Sequence, residues 1–140
     1  MRNAPVIYIV VPCYNEEEVL PLTAEFLGKK LDDLIRSRRI HPGSRVLMVD
    51  DGSKDKTWKL IEEFHEKDER FAGVKLSRNR GHQNALLAGL FEAARRRCDA
   101  AISMDADLQD DIHAIDGFLD QYEQGCQVVY GVRRDRSSDT

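Results

Sequence analysis

Short, mainly apolar runs alternate along this chain with longer stretches whose apolar residues recur every three or four positions. The runs are VIYIVV (6–11), RVLMVD (45–50), GVKLS (73–77), AAISMD (100–105) and QVVYGV (127–132). Most of their positions are apolar rather than alternating apolar and polar, which suits strands buried on both faces. Residues 17–38, 54–68, 82–97 and 112–124 carry helical spacing, and Pro21 is compatible with the first of these because it falls near the helix start. The order β-α-β-α-β-α-β-α-β predicts an α/β fold, a mostly parallel sheet covered by helices on both faces. HPGS (41–44) and RNRG (78–81) supply turn chemistry, and RDRSSDT (134–140) is polar without periodicity.

Composition narrows the picture. With 140 residues, 41% of them hydrophobic, the chain is long enough for one domain over 1–140 and short for two. A net charge of −4 argues against nucleic acid as a partner. Cys13, Cys98 and Cys126 are odd in number and widely spaced, so neither a disulfide framework nor a zinc site is expected, and a reducing cytosol fits. VIYIVV runs into Pro12 after six residues, too few to span a membrane.

In a sheet of this kind ligands bind outside the carboxyl ends of the strands. The chemistry lies there: PCYNEE (12–17), DDGSKD (50–55), SRNRGHQN (77–84) and DADLQDD (105–111) each follow a predicted strand. Within the second, Gly52 serves a turn, and Ser53 or Asp55 caps a helix starting near Lys54. Asp50 and Asp51 need another reason, because Asp is depleted in strands and neighbouring strand positions face opposite sides. One of the two is expected to accept hydrogen bonds from a ligand. Asp105 and Asp107 project to one side if the chain there is extended, and two adjacent carboxylates stay ionised only beside a cation, or else one holds a proton. Hard oxygen ligands suit Mg²⁺ or Mn²⁺. Asp110 and Asp111 read as solvated or helix-capping, His82 as a structural helix-start residue, and Arg95 to Arg97 as complements of a helix C-terminus.

Five stretches taken together, VVPCYNEE, VDDGSKDKT, LSRNRGHQNALLAGL, MDADLQDD and VVYGVRRDR, resemble the family 2 glycosyltransferases of GT-A fold. Among them the chain is most similar to the polyprenyl-phosphate sugar transferases, the dolichyl-phosphate mannose synthases and bactoprenol glucosyltransferases, over about Val6 to Arg136. The resemblance implies a Rossmann-like sheet of order 3-2-1-4 plus a fifth strand. It implies that Pro12, Tyr14 and Glu16 hold the nucleoside, that Asp50, with Asp51 beside it, reads the base, and that Asp105, Asp107 and Gln109 hold Mg²⁺ or Mn²⁺ on the diphosphate. Asp107 and Arg133 are then the catalytic pair, with Arg133 in the phosphate region. The activity implied is inverting, metal-assisted transfer of a sugar from a nucleotide-diphosphate sugar, UDP-glucose or similar, to a polyprenyl phosphate at the cytoplasmic face of a membrane.

In that family the domain continues past the strand matching 127–132, toward the acceptor side and a membrane anchor. The expectation is therefore a truncated, donor-binding half that binds nucleotide with little or no transfer, with an exposed edge on the fourth strand open to a second copy, a homo-oligomer. A nucleotide-sugar-binding module without turnover is the alternative. One departure is visible: DLQDDI puts Asp111 and Ile112 where the family commonly has two prolines.

Overall fold

The structure is a computed structural model and describes residues 4–107 and 114–123. Four strands, β1 (Ile7–Cys13), β2 (Arg45–Asp50), β3 (Phe71–Lys75) and β4 (Ala100–Ser103), form one parallel sheet of order β3-β2-β1-β4. This is the fold class and the strand order expected. The fifth predicted strand, 127–132, lies outside the described residues.

β1 is central, and all seven of its residues are buried. Ile7, Ile9, Val11 and Cys13 enter the core under α1 (Leu20–Arg36), α2 (Thr57–Lys67) and α4 (Ala114–Glu123), while Tyr8 and Val10 face α3 (His82–Arg95). Burial on both faces is the reason the run contains no polar alternation. α1 buries Leu20, Leu27, Leu31 and Leu34 along one stripe, each fully buried leucine contributing roughly 1.5–3 kcal/mol. Pro21 sits in its first turn, where no backbone donor is lost. α3 lies very close to the sheet: a Cβ on Gly89 would stand 2.4 Å from Val10 Cγ1 and 2.8 Å from Val49 Cγ2. α4 is tied to α1 by Lys30 to Asp116 and to the segment after α1 by Arg39 to Asp120, each at 2.8 Å.

Several boundaries differ from expectation, and three of them show why. β3 begins at Phe71 rather than 73, because Phe71 and Ala72 are buried opposite Val46 and Leu47; Leu76 N still donates to Asp50 O at 2.9 Å. β4 ends at Ser103 instead of 105, and residues 106 and 107 form a turn. α2 begins at Thr57 rather than near Lys54: the Ser53 side chain serves the β1 loop, and Asp55 takes the Thr57 amide. Among the described residues no helix is long and apolar enough to cross a membrane.

Candidate active site

The loops after β1 and β2 are joined by a reciprocal set of hydrogen bonds. Three consecutive amides of the β1 loop donate to side chains of the β2 loop: Asn15 N to Ser53 Oγ (2.8 Å), Glu16 N to Thr57 Oγ1 (2.8 Å) and Glu17 N to Asp55 Oδ2 (3.3 Å). In return Asn15 Oδ1 accepts from Lys54 N (2.9 Å) and Glu17 Oε1 from Lys56 N (3.1 Å). Asn15 takes a left-handed φ of 51°, tolerable for asparagine, and this reverses the chain between Tyr14 and Glu16. Of the two expected caps, Asp55 does take the Thr57 amide (2.9 Å), while Ser53 serves the β1 loop instead.

The β2 loop also holds the loop after β3. Asp51 Oδ1 accepts from Arg80 N at 2.7 Å and Oδ2 from Gly81 N at 3.1 Å. Gly52 has φ +74°, and a Cβ there would lie 2.4 Å from Asn79 N and 2.5 Å from Arg78 C, so only glycine allows the two backbones to meet. Asp50 is fully buried; its Oδ1 accepts from Ser53 N (3.2 Å), and its Oδ2 has no hydrogen-bond partner among the described residues.

These three loops enclose a cleft of about 180 Å³. Pro12, Tyr14, Glu16 and Asp51, all singled out in the sequence, line it, and Asp50 is not among the lining residues. Asn79 and His82 also line it. In the sequence Asn79 reads as turn chemistry, and His82 reads as structural ahead of the alternative that it faces the site after the Gly81 turn; the position of SRNRGHQN after a strand was the available signal. The Cys13 thiol, a further wall, is pushed up from its ordinary value by burial and then by the negative charges of Glu16 and Asp50. A thiol so held is a poor nucleophile.

The expected pairing of Asp105 and Asp107 through extended chain does not hold, because the chain turns after Asp105. The turn has a cause: the Thr23 hydroxyl in α1 donates to the Ala106 carbonyl, and Ala106 is buried in the core. Both aspartates nonetheless act on Glu16. Its carboxyl is raised above the ordinary range by burial first, then by the charges of Asp107, Asp105 and Asp55. Acids from the β1, β2 and β4 loops therefore share one field. Among the described residues no three His, Cys, Asp or Glu side chains are placed to hold an ion as they stand. Gln109, Asp110, Asp111 and Arg133 lie outside the described residues.

Comparison with known proteins bears on what such a cleft does. An uncharacterized glycosyltransferase of Bacillus subtilis (strain 168), YkoT, is 52% identical over 139 residues, covering 99% of this chain and 41% of that protein. A prophage bactoprenol glucosyl transferase homolog of Escherichia coli (strain K12) is 34% identical over 133 residues, 95% of this chain and 40% of that protein. The undecaprenyl-phosphate 4-deoxy-4-formamido-L-arabinose transferase of Pectobacterium atrosepticum is 36% identical over 129 residues, 91% and 37% respectively. The chain thus spans about two fifths of the length of these curated relatives. In fold it is similar to the mannosyltransferase PcManGT of Pyrobaculum calidifontis, solved with GDP-Man and Mn²⁺, at TM-score 0.58 and 24% identity over 80% of this chain and 30% of that one. The model of glycosyl transferase family 2 matches residues 8–140, from the second residue of β1 onward and so across the whole cleft: this chain belongs to glycosyl transferase family 2.

Proposed function

We propose that this chain carries the donor-binding half of a glycosyltransferase that moves a sugar, with inversion, from a nucleotide-diphosphate sugar to a polyprenyl phosphate. The observation that carries the reading is the cleft at the carboxyl ends of the strands, lined by Tyr14, Glu16 and Asp51, where burial first and then the charges of Asp107, Asp105 and Asp55 raise the Glu16 carboxyl. Hard oxygen donors in a shared negative field are the set that suits Mg²⁺ or Mn²⁺. A divalent ion bound there would supply the charge neutralisation that a departing nucleoside diphosphate needs. Asp105, Asp107 and Gln109 would hold it, with Asp107 and Arg133 at the reacting diphosphate.

Tyr14, 40% exposed at the cleft edge, offers a ring for a nucleobase. Asp51 lines the cleft and offers an acceptor for base or ribose N–H and O–H groups, whereas Asp50 is fully buried and is not among the lining residues. At about 180 Å³ the cleft is smaller than the ~300 Å³ at the low end of small-molecule sites, so the sugar end of a donor extends outward, toward the β4 loop. The acceptor phosphate is already anionic and needs no strong general base. Relatives named for bactoprenol and undecaprenyl phosphate support a lipid acceptor, and with it a place at the cytoplasmic face of a membrane.

Calorimetric titration of the chain with UDP-glucose and GDP-mannose, with and without Mn²⁺, tests the donor half. Binding is expected to depend on the metal, and Asp107→Asn is expected to abolish that dependence. Metal dependence that survives the substitution would return Asp107 to a purely structural turn. Radiolabelled sugar transfer to a polyprenyl phosphate in detergent separates turnover from the second reading, binding alone.

A further inference from the structure

The site described above leaves Ser53 and Thr57 outside the cleft, yet both touch the loop that forms its wall. Thr57 is fully buried at the start of α2. Its hydroxyl accepts the Glu16 amide at 2.8 Å and donates to Asp55 Oδ1 at 2.5 Å, so its rotation is set at both ends. Ser53 Oγ accepts the preceding amide, that of Asn15, at 2.8 Å. The two hydroxyls bracket the left-handed turn at Asn15 that separates Tyr14 from Glu16.

We propose that Ser53 and Thr57 are positioning residues for donor binding, holding the amides of Asn15 and Glu16 so that Tyr14 and Glu16 stand at the cleft before any donor arrives. The proposal rests on reading the cleft as the donor site. Its physical basis is that α2, seated on the sheet through Ile61 and Thr57, serves as a fixed reference for a loop of its own chain some 40 positions away. A loop whose amides are already satisfied does not have to be ordered by the ligand, and that saved ordering appears as affinity.

The hydroxyl of Thr57 is separable from the contact that its backbone amide makes at the start of α2. Asp55 Oδ1 takes the Thr57 backbone N–H at 2.9 Å, and this contact needs no side chain at 57. Thr57→Val therefore keeps the volume and the start of α2 while removing the acceptor for Glu16 N. Thr57→Ser keeps the acceptor and removes a methyl group.

The test measures UDP-glucose and GDP-mannose affinity with Mn²⁺ by calorimetry, and amide hydrogen exchange at residues 14–17 by NMR without nucleotide, on the 140-residue chain. For Thr57→Val, affinity is expected to fall about five- to tenfold, the scale of one net hydrogen bond, and exchange at Glu16 to quicken by a similar factor. Thr57→Ser is expected to restore both. Ser53→Ala is expected to quicken exchange at Asn15 with a smaller loss of affinity. A folded Thr57→Val chain with wild-type affinity and exchange would overturn the proposal, and so would a Thr57→Ser chain as impaired as Thr57→Val, since packing and not the hydroxyl would then be responsible. If Thr57→Val does not fold, unchanged Asn15 exchange in Ser53→Ala overturns it and quickened exchange supports it. A wild-type chain that binds neither nucleotide sinks the donor reading and the positioning role with it, whereas bound nucleotide with unchanged exchange sinks the positioning role alone.

Discussion

Gly52→Ala is expected to cost about 3–5 kcal/mol of folding stability, and the structure supplies the parts. At φ +74° an L-residue pays about 1–2 kcal/mol for the left-handed backbone. The added Cβ would stand 2.4 Å from Asn79 N, 2.5 Å from Arg78 C and 2.9 Å from Arg78 Cα, all backbone atoms without the freedom of a flexible side chain. The β3 loop must retreat, and it is held by Asp51 through Arg80 N and Gly81 N at 2.7 and 3.1 Å. Losing one of these charge-assisted bonds adds about 1.5–3 kcal/mol. That is a large share of the roughly 5–15 kcal/mol that separates a native domain from its unfolded chain. Gly81→Ala is the control: its φ of +94° and ψ of 152° also demand glycine, at about 1–3 kcal/mol, but its Cβ would meet nothing within 4 Å. Urea denaturation of both variants, followed by far-ultraviolet circular dichroism, gives the comparison. If Gly52→Ala costs no more than Gly81→Ala, the β2 and β3 loops are not in rigid contact and the account of how Asn79 reaches the cleft is wrong.

Asp51→Ala should lower stability by on the order of 3 kcal/mol in the same urea titration, because two amides lose a charged acceptor at once; a loss below about 1 kcal/mol would mean that water replaces the carboxylate at no cost. Glu16→Gln should stabilise the chain at neutral pH while weakening Mn²⁺-dependent nucleotide binding. The sign follows from the carboxyl being raised above its ordinary 4.5 by burial and then by Asp107, Asp105 and Asp55. The folded chain holds the Glu16 proton more tightly than the unfolded chain does, so the stability this group contributes is complete below the ordinary value and lost as pH rises through the raised one. Thermal melting in a chelator at stepped pH should show the variant gaining on wild type as pH rises, and parallel curves would remove Glu16 from the shared field.

Much of the architecture was legible in the sequence because it depends on spacing within a few residues. Apolar runs such as 6–11 and 46–49 announced strands buried on both faces, and the leucines of α1 at helical spacing announced a helix with one buried stripe. Their alternation was enough for a parallel sheet, and a parallel sheet puts every βα loop at one end, which placed PCYNEE, DDGSKD, SRNRGHQN and DADLQDD together before any contact was known. The assignment of roles inside those loops was another matter. Asp50 and Asp51 are adjacent and chemically identical, and only the packed structure puts Asp51 at the cleft and buries Asp50. Ser53 and Asp55 looked alike as caps, yet Asp55 serves both its own helix and the β1 loop while Ser53 serves that loop, 38 positions away. Asp105 and Asp107 were expected to project side by side from extended chain, whereas the chain turns after Asp105, where the Thr23 hydroxyl of α1 donates to the Ala106 carbonyl. A period of two or of 3.6 is written into neighbouring residues, whereas the partner of a given amide or carboxylate depends on which strands lie side by side, and that is decided only when the whole sheet closes its core.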